Sequence, residues 1–203
     1  MNYDVLANED SIAKTAEAIK SRGINVVVVN TGQEALEAIK NMIPKGAQVM
    51  NASSTTLEQI GFVAYLASGD HPWNNLHVSI LMEKDEQKQA TLRTQSILSE
   101  YFLGSVHAIA QTGEMVTASA TGSQIPSYAF SSPHVIWVAG VNKIVPTLAD
   151  ALTRVREYTF PLENERMKKA GYPGSMIGKI LINEREMPSS KATLILVREK
   201  LGF

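Results

Sequence analysis

The sequence predicts an α/β fold with an open, mainly parallel sheet and helices on both faces. Two observations support this prediction. Short apolar segments rich in β-branched residues, "INVVVVN", "QVMN", "HAIA" and "VIWVA", are typical of inner strands. Segments with helical periodicity separate them, as in parallel sheets whose strands are joined by helices. The chain has 203 residues, 44% of them hydrophobic, so residues 1–203 can form a single domain with a real core.

The N-terminal third alternates helix and strand. "SIAKTAEAIKSRG" places Ile12, Ala16 and Ile19 on one helical face, and Gly23 ends that helix. The strand "INVVVVN" follows directly. A capping box of Thr31 and Glu34 then precedes the helix "EALEAIKNMI". A short strand, "AQVMNA", leads into a helix over "SSTTLEQIGFVAYLA".

The middle of the chain departs from this alternation. "SGDHPWNNLHV" contains Gly, Pro and Asn residues and is predicted to be a loop. "KQATLRTQSILSEYFLG" is predicted to be one helix, with Leu92, Ile97 and Leu98 as candidate core positions. Two β-like runs, "SVHAIA" and "MVTASA", flank the polar "QTGE", which indicates a hairpin.

The C-terminal third supplies the last predicted elements. "HVIWVAG" is a buried strand, and "PTLADALTRVREY" is a helix with Leu148, Leu152 and Val155 at positions i, i+4 and i+7. Pro146 is placed in the first turn of this helix, where proline is tolerated. Residues 161–191 are rich in charge, Gly and Pro and are predicted to be loop-rich. The final strand is "ATLILV".

Composition excludes several kinds of site. The chain has no cysteine, which excludes disulfides, thiolate nucleophiles, zinc ribbons and cysteine-held iron–sulfur clusters. No two histidines have the i, i+4 spacing of a helical zinc motif, and His107, in an apolar run, is predicted to be a hydrogen-bonded core residue. We therefore expect no metal and no redox cofactor. No GxGxxG, Walker or GxSxG motif supports nucleotide binding or serine hydrolysis.

Charge and hydropathy favour neither nucleic acid nor a membrane as a partner. A net charge of -1 provides no field that would recruit nucleic acid or an acidic bilayer. "MNYDVLANED" lacks the apolar core of a secretory signal, and no apolar run approaches the ~18 residues of a membrane span. A cytoplasmic protein is the expectation.

The strongest likeness to known proteins lies in three stretches: "GSVHAIAQTGEMVTASATGSQIPSYAF", "HVIWVAGVNKIVPTLADALTRVREYTFPLENER" and "ATLILVREKLGF". They resemble the LUD domain of the lactate-utilisation family, and "GINVVVVNTGQEALEAIKNMIPKGAQVMNASSTTLEQIG" resembles it as well. The likeness thus covers residues 24–203. Its most specific parts are the strands around "QTGE" and the motif "NKIVPTL".

This resemblance implies the fold shared by phosphosugar isomerases and coenzyme A transferases, and a role in organic-acid metabolism. It implies no mechanism, because one fold supports many reactions. Iron–sulfur oxidoreductase subunits are the partners that such a role implies, and assembly into a homo-oligomer stays open. Family members commonly carry Glu where this chain has Gln111. Others carry cysteines in the C-terminal third, where this chain has none.

Hydroxyl side chains gather where a strand meets a helix. The four residues are Ser53, Ser54, Thr55 and Thr56. Free N–H groups at a helix N-terminus suit a phosphate or carboxylate. The resemblance adds that sugar-phosphate isomerases of this fold hold substrate with a similar turn. The structural alternative has Thr55 as the N-cap and Glu58 completing a capping box, and both interpretations can hold for one turn.

The polar turn of the hairpin consists of Gln111, Thr112, Gly113 and Glu114. The resemblance implies that a glutamate in this turn attacks the acyl carbon in coenzyme A transferases, which requires a carboxylate. The amide of Gln111 cannot do so, and Glu114 is left as a candidate catalytic carboxylate. The alternative is a hairpin turn with Gly113 at a positive φ.

Two further segments are candidate ligand-binding loops. Lys143 follows a buried strand at the edge where open α/β sheets bind ligands, and Asn142 precedes it. Its ammonium could neutralise an anion or act in catalysis, and the alternative is a solvated loop lysine. The loop "TGSQIPSYAF" offers close-approach and hydrogen-bonding groups: Gly122, Ser123 and Gln124. We expect residues 53–56, 111–114 and Lys143 to converge on one cleft that holds an anion.

Three functions stay open. The first is an accessory component that binds a small anionic ligand in the utilisation of lactate or a related organic acid. The second is an enzyme that acts on a phosphosugar or an acyl coenzyme A, with Glu114 and Lys143 as catalytic candidates. The third is an interaction protein without converging polar groups.

Overall fold

The computed structural model describes residues 2–189 and 191–203. The strands are β1 Asn25–Val29, β2 Gln48–Asn51, β3 Asn74–Asn75, β4 Tyr101–Gly104, β5 Ala108–Ala110, β6 Met115–Ser119, β7 His134–Gly140, β8 Ile144–Val145, β9 Lys179–Asn183 and β10 Ala192–Val197. The α-helices are α1 Glu9–Ser21, α2 Gly32–Met42, α3 Thr55–Gln59, α4 Phe62–Ser68, α5 Leu76–Met82, α6 Glu86–Gln95, α7 Leu148–Arg154 and α8 Phe160–Lys169. Short 3-10 turns span Ser96–Leu98 and Val141–Lys143, and π-helical turns span Ser127–Ser131 and Val155–Thr159. Within the described ranges, none of the helices has the length and apolar character of a membrane span.

Six parallel strands form the main sheet, in the order β1-β10-β7-β4-β2-β3. One face packs against α2, α3 and α4 through buried residues that include Ile39, Leu57 and Ile195. The other face packs against α1 and a second sheet, with Ile19 and Trp137 among the buried residues. The predicted fold class, an open and mainly parallel sheet with helices on both faces, is therefore confirmed.

The second sheet has four strands in the order β8-β5-β6-β9. Strands β5 and β6 form the predicted antiparallel hairpin around "QTGE". Away from the main sheet, Ala108, Val116 and Val145 pack against Ala151 and Val155 of α7 and the turn after it. The second sheet therefore lies between the main sheet and α7.

Three strand assignments differ from the prediction. The run "INVVVVN" forms β1, which is an edge strand and not an inner one, and "HAIA" lies in the second sheet. The segment "YFLG", predicted as the end of a helix, forms β4 inside the main sheet. Periodicity does not distinguish a short buried strand from a helix, so tertiary packing decides. Leu98, predicted to be a core residue, is 65% exposed in the turn before β4.

Two predicted loops contain regular structure. The segment "SGDHPWNNLHV" includes β3 and the start of α5, and the C-terminal segment includes α8 and β9. Helix α8 continues α7 through a π-helical turn, and β9 pairs with β6. The buried face of α7 is also rotated from the predicted one. Ala151 and Arg154 are buried, whereas Leu148 and Leu152 are half-buried.

Capping residues mark the helix ends. Thr31 caps α2 by accepting a hydrogen bond from the amide of Glu34, as predicted, although the Glu34 carboxylate bonds the amide before the cap. Thr147 caps α7, so Pro146 lies before the helix and not in its first turn. Gly61, with φ +80°, separates α3 from α4, which the sequence predicted as one helix.

Candidate functional site

A cavity of about 720 Å³ lies at the carboxyl ends of β2, β4 and β7. Parallel strands end together at this edge of the sheet, where open α/β folds place ligands. The floor of the cavity consists of three segments that follow these strands, residues 53–56, 105–107 and Lys143. Its walls come from α5, α8 and the loop after β6. The cavity thus brings residues 53–56 and Lys143 together.

Lys143 is a buried cation in the floor. It lies in the 3-10 turn after β7 and is only 2% exposed, so the alternative of a solvated loop lysine is wrong. Its Nζ donates hydrogen bonds to Thr56 Oγ1, Ser105 Oγ and Val106 O, each at 3.0 Å. Three acceptors match the three donors of an ammonium group, but all three are uncharged. Among the described residues, no carboxylate forms an ion pair with Lys143.

A second buried cation, Arg154, lies next to this floor. Its Nη2 donates to Asn142 O at 3.3 Å, and its Nη1 donates to Thr159 Oγ1 at 3.0 Å and to His107 O. Its Nε has no hydrogen-bond partner in the described part of the chain. Burial, followed by the charge of Arg154, lowers the pKa of Lys143 to about 7. Arg154 is a fixed cation and Lys143 becomes one on protonation, so this poorly hydrated region favours an anion nearby.

Residues 53–56 all line the cavity. Ser54 caps α3, because its backbone is extended (φ -154°, ψ 114°) and its Oγ accepts from the amide of Leu57 at 3.3 Å. The predicted cap at Thr55 is wrong by one residue, and Glu58 consequently does not occupy the capping-box position.

The loop after β6 contributes polar groups to one wall. Ser123 and Gln124 line the cavity, and Gln124 Oε1 accepts from Ser119 Oγ at 2.9 Å, which fixes the amide. Gly122 is not part of the lining. It has φ +88° and donates its N–H to Ser119 Oγ at 2.8 Å, so its contribution is to turn the chain.

The "QTGE" turn lies outside the cavity, so the expected convergence is wrong for this segment. Arg22, at the end of α1, donates to Glu114 Oε1 at 2.6 Å and to Thr112 O at 2.9 Å. Gly113 has φ +102°, and a Cβ atom there would lie 2.7 Å from Arg22 Nε. The alternative interpretation, a hairpin turn with Gly113 at a positive φ, is therefore correct. The turn fastens the second sheet to α1.

The substitution Gln111→Glu tests whether this turn is structural. The Gln111 amide donates to Ser11 Oγ at 3.1 Å, and a carboxylate would instead accept a hydrogen bond from the same hydroxyl. We expect the free energy of unfolding, measured by urea denaturation, to change by less than about 1 kcal/mol. Anion affinity, measured by calorimetry, should not change. A tenfold loss of affinity would contradict a purely structural turn.

Asn142 supports the floor instead of facing the cavity. It is buried and is not part of the lining. Its Oδ1 accepts from Leu201 N at 3.1 Å, and its Nδ2 donates to Gly202 O at 3.5 Å. Gly202 lies against the lysine amine, since a Cβ atom on it would be 3.0 Å from Lys143 Nζ. Asn142 thus holds residues 201–202 beside Lys143.

Sequence reasoning missed several residues of the cavity. His107, predicted to be a core residue, lines it and is only half-buried. Helix α8 contributes Glu163 and Arg166, whose carboxylate and guanidinium form two hydrogen bonds of 2.7 and 2.8 Å. Arg93 of α6 lines the cavity as well. Charge spacing in "FPLENERMKK", with Glu163 three positions before Arg166, was the available sign of a helix there.

The lining chemistry is that of charge and hydrogen bonding. Cationic side chains and hydroxyls can bind and orient an anion, the lysine amine can hold or exchange a proton, and the imidazole of His107 can donate a hydrogen bond. In the described ranges, no group of three or more His, Asp or Glu side chains is arranged to hold a metal ion.

Comparisons with known proteins agree on the family. The sequence model of the LUD domain matches residues 12–193. The fold is similar to the crystal structure of a DUF162 family protein from Deinococcus radiodurans, with a TM-score of 0.55 and 10% sequence identity over 95% of this chain and 99% of that chain. None of the curated proteins compared with the sequence matches it. The family match covers most of the chain, so the protein belongs to the LUD domain family, as the resemblance of its motifs predicted.

Proposed function

We propose that this chain binds the anion of an organic acid in the cavity at the carboxyl ends of β2, β4 and β7. Membership of the LUD family implies a role in the utilisation of lactate or related organic acids. Within that role we propose an accessory, ligand-binding component that works beside iron–sulfur oxidoreductase subunits. The observation that carries the proposal is Lys143, a buried amine with only uncharged hydrogen-bond partners.

The proposal rests on the cost of burying a charge. An ammonium group taken out of water loses hydration that neutral oxygens replace only in part. The nearby guanidinium of Arg154 adds a second positive charge, which makes the region more unfavourable for a cation and more favourable for an anion. A carboxylate in the cavity supplies the missing negative charge. It would take over one ammonium donor from a neutral acceptor such as Ser105 Oγ, because charge-assisted hydrogen bonds are about twice as strong as neutral ones.

The ligand we propose is larger than lactate. A volume of about 720 Å³ falls within the range of ~300–1,000 Å³ found for sites of drug-sized molecules, whereas lactate has three carbon atoms. Apolar side chains line the walls: Leu81, Ile97, Phe160, Met167 and Met176. An organic acid with an apolar side chain would bury that side chain against them, which is worth roughly 25 cal/mol per Å².

An enzyme acting on a phosphosugar or an acyl coenzyme A is the alternative. The cavity and Lys143 suit a phosphorylated substrate equally well. Acyl transfer through Glu114 has less support, because that carboxylate pairs with Arg22 away from the cavity. Turnover of ribose 5-phosphate or acetyl coenzyme A by the purified chain would favour the enzyme.

Calorimetric titration with matched acids and amides tests the proposal. The acids are lactate, 2-hydroxy-4-methylpentanoate and 3-phenyllactate, and each has a neutral amide of almost the same shape. We expect every amide to bind at least about 10-fold more weakly than its acid, because it lacks the charge that Lys143 requires. Affinity should rise from lactate to the two larger acids.

Three outcomes would contradict the proposal. Equal affinities for acid and amide would mean that the cavity does not select an anion. If none of the acids bound, organic acids would not be the ligand class of the cavity. Tightest binding of lactate would contradict the proposed size. Co-purification with iron–sulfur oxidoreductase subunits tests the accessory role separately.

A further inference from the structure

We infer that His107 is a ligand-binding residue that presents a fixed Nε2–H donor to the cavity, so that the site selects acids carrying a second oxygen, a hydroxyl or a carbonyl. The inference rests on the proposed anion binding and goes beyond it. Three observations carry it: how the backbone of His107 is held, which ring nitrogen is occupied, and which charges surround the ring.

The backbone of His107 is held on both sides. Its N–H donates to Val116 O at 2.8 Å, and its carbonyl accepts from the buried guanidinium of Arg154. The preceding carbonyl, that of Val106, accepts from Lys143 Nζ at 3.0 Å. One short segment therefore places the imidazole next to the residue that bonds the lysine amine.

One ring nitrogen is occupied by the protein and the other is not. Nδ1 of His107 accepts a hydrogen bond from the amide of Ala118 at 3.1 Å, so Nδ1 carries no proton. A neutral ring then bears its proton on Nε2. Nε2 makes no hydrogen bond to the described part of the chain. It is also not one of the fully buried polar atoms without a partner there, so it retains some exposure. Because the half-buried ring lines the cavity, this N–H is available to a ligand.

The surroundings keep the ring neutral. Protonation would place an N–H at Nδ1 against the N–H of Ala118, so the fixed backbone amide disfavours it. The charged groups that act on the ring, Lys143 and Arg154, are both cations. Burial, and then these two charges, lower the pKa of His107 to about 3. The ring thus differs from an ordinary histidine, which gains a proton near neutral pH.

A neutral N–H donor and an ammonium suit different ligand oxygens. The ammonium of Lys143 favours the carboxylate, because that oxygen carries the charge. An uncharged imidazole N–H donates to a hydroxyl or carbonyl oxygen without requiring charge on it. Both groups belong to one floor, so a 2-hydroxy or 2-oxo acid can place its carboxylate on the ammonium and its hydroxyl or carbonyl oxygen on the imidazole N–H, whereas a plain carboxylic acid has no oxygen outside its carboxylate.

Two probes and two variants of the whole chain test the inference. The probes are 3-phenyllactate and 3-phenylpropionate, which differ by one hydroxyl. The variant His107→Asn keeps an oxygen that can accept from the Ala118 amide but loses the donor at the Nε2 position, whereas His107→Gln keeps a donor there. We expect the wild-type chain to prefer 3-phenyllactate by up to about 10-fold. His107→Asn should abolish the preference without weakening 3-phenylpropionate, and His107→Gln should keep part of it.

Nitrogen NMR of the ring provides a readout that does not depend on binding. We expect the Nε2–H tautomer throughout pH 5–8, with no titration, and a shift of the Nε2 resonance when 3-phenyllactate is added. A ring that titrates in this range, or that carries its proton on Nδ1, would overturn the inference. Equal loss of both probes in His107→Asn would also overturn it and indicate a structural role only. If 3-phenyllactate binds without any preference, the inference alone fails; if neither probe binds, the proposed function fails with it.

Discussion

The substitution Lys143→Met is expected to weaken the binding of an organic acid at least about 30-fold, because removing one partner of a buried, hydrogen-bonded charge pair costs ~2 kcal/mol or more. Methionine is unbranched, as lysine is, and fills a similar volume without the charge. Calorimetric titration with 3-phenyllactate measures the loss. Binding of the neutral amide of this acid serves as the control, and it should change little, because the amide makes no charge-assisted contact with the amine.

The same substitution should leave the fold intact. A buried cation without a carboxylate partner costs desolvation energy, and replacing such a charge with an apolar side chain is often neutral or stabilising. Ser105 Oγ, one of the acceptors that would lose the amine, still donates to Val138 O at 2.7 Å. We expect the free energy of unfolding in urea to stay within about 1 kcal/mol of the wild-type value. A much larger loss would indicate that Lys143 is primarily a structural tie.

The dependence of affinity on pH provides a second control. Burial and the charge of Arg154 lower the pKa of Lys143 to about 7 in the free protein, and a bound carboxylate would raise it again. Above pH 7 binding must therefore take up a proton, and the affinity should fall as pH rises, by up to tenfold per unit. Lys143→Met should remove this dependence. An unchanged pH profile in the variant would contradict the role of the lysine as the charge that binds the acid.

Sequence alone located Lys143 but could not predict its burial. The run "HVIWVAG" marked a strand, and the rule that ligands bind beyond the carboxyl ends of parallel strands placed the next residues at the edge of the sheet. Burial depends on Thr56 and Ser105, whose hydroxyls lie 87 and 38 positions away along the chain. No local pattern encodes contacts at such separations.

For the "QTGE" turn as well, the local sequence predicted the secondary structure but not the tertiary contact. Local residues correctly predicted a hairpin, because a glycine between two β-like runs is a short-range signal. The destination of the turn depends on Arg22, which lies 92 positions before Glu114 and takes its carboxylate. The polar residues of this turn could therefore have formed a ligand site or a structural contact with α1. Only the tertiary structure distinguishes these two roles.

Strand order was equally beyond local patterns. The runs "NVVVV" and "ATLILV" are similar in composition, yet the first is a half-buried edge strand and the second is an inner strand. What distinguishes them is strand pairing, since β10 pairs with β1 on one side and β7 on the other, whereas β1 lies at the end of the strand order. His107 was misassigned for a related reason, since its apolar neighbours enter the second sheet while its ring faces the cavity.

The substitution Gly140→Ala is expected to destabilise the protein by about 2–3 kcal/mol, the upper part of the range for overpacking a buried position. Gly140 is the last residue of β7, and a Cβ atom there would lie 2.3 Å from Asn142 Oδ1 and 2.5 Å from Glu199 O. It would also lie 2.6 Å from Leu201 N. Two of these neighbours are backbone atoms, which cannot rotate away, so the segment around residues 199–201 must move.

That movement should affect ligand binding as well as stability. Displacing Leu201 breaks its hydrogen bond to Asn142, and Gly202, which lies against Lys143, moves with it. We expect a lower urea midpoint, faster hydrogen exchange of the Leu201 amide and altered affinity for 3-phenyllactate. Gly32→Ala is the matched control, because the nearest atom to its added Cβ is a side-chain methyl at 3.0 Å and alanine favours the helix that begins there. If Gly140→Ala were as stable as this control, close packing between β7 and residues 199–201 could not be what holds the floor of the cavity in place.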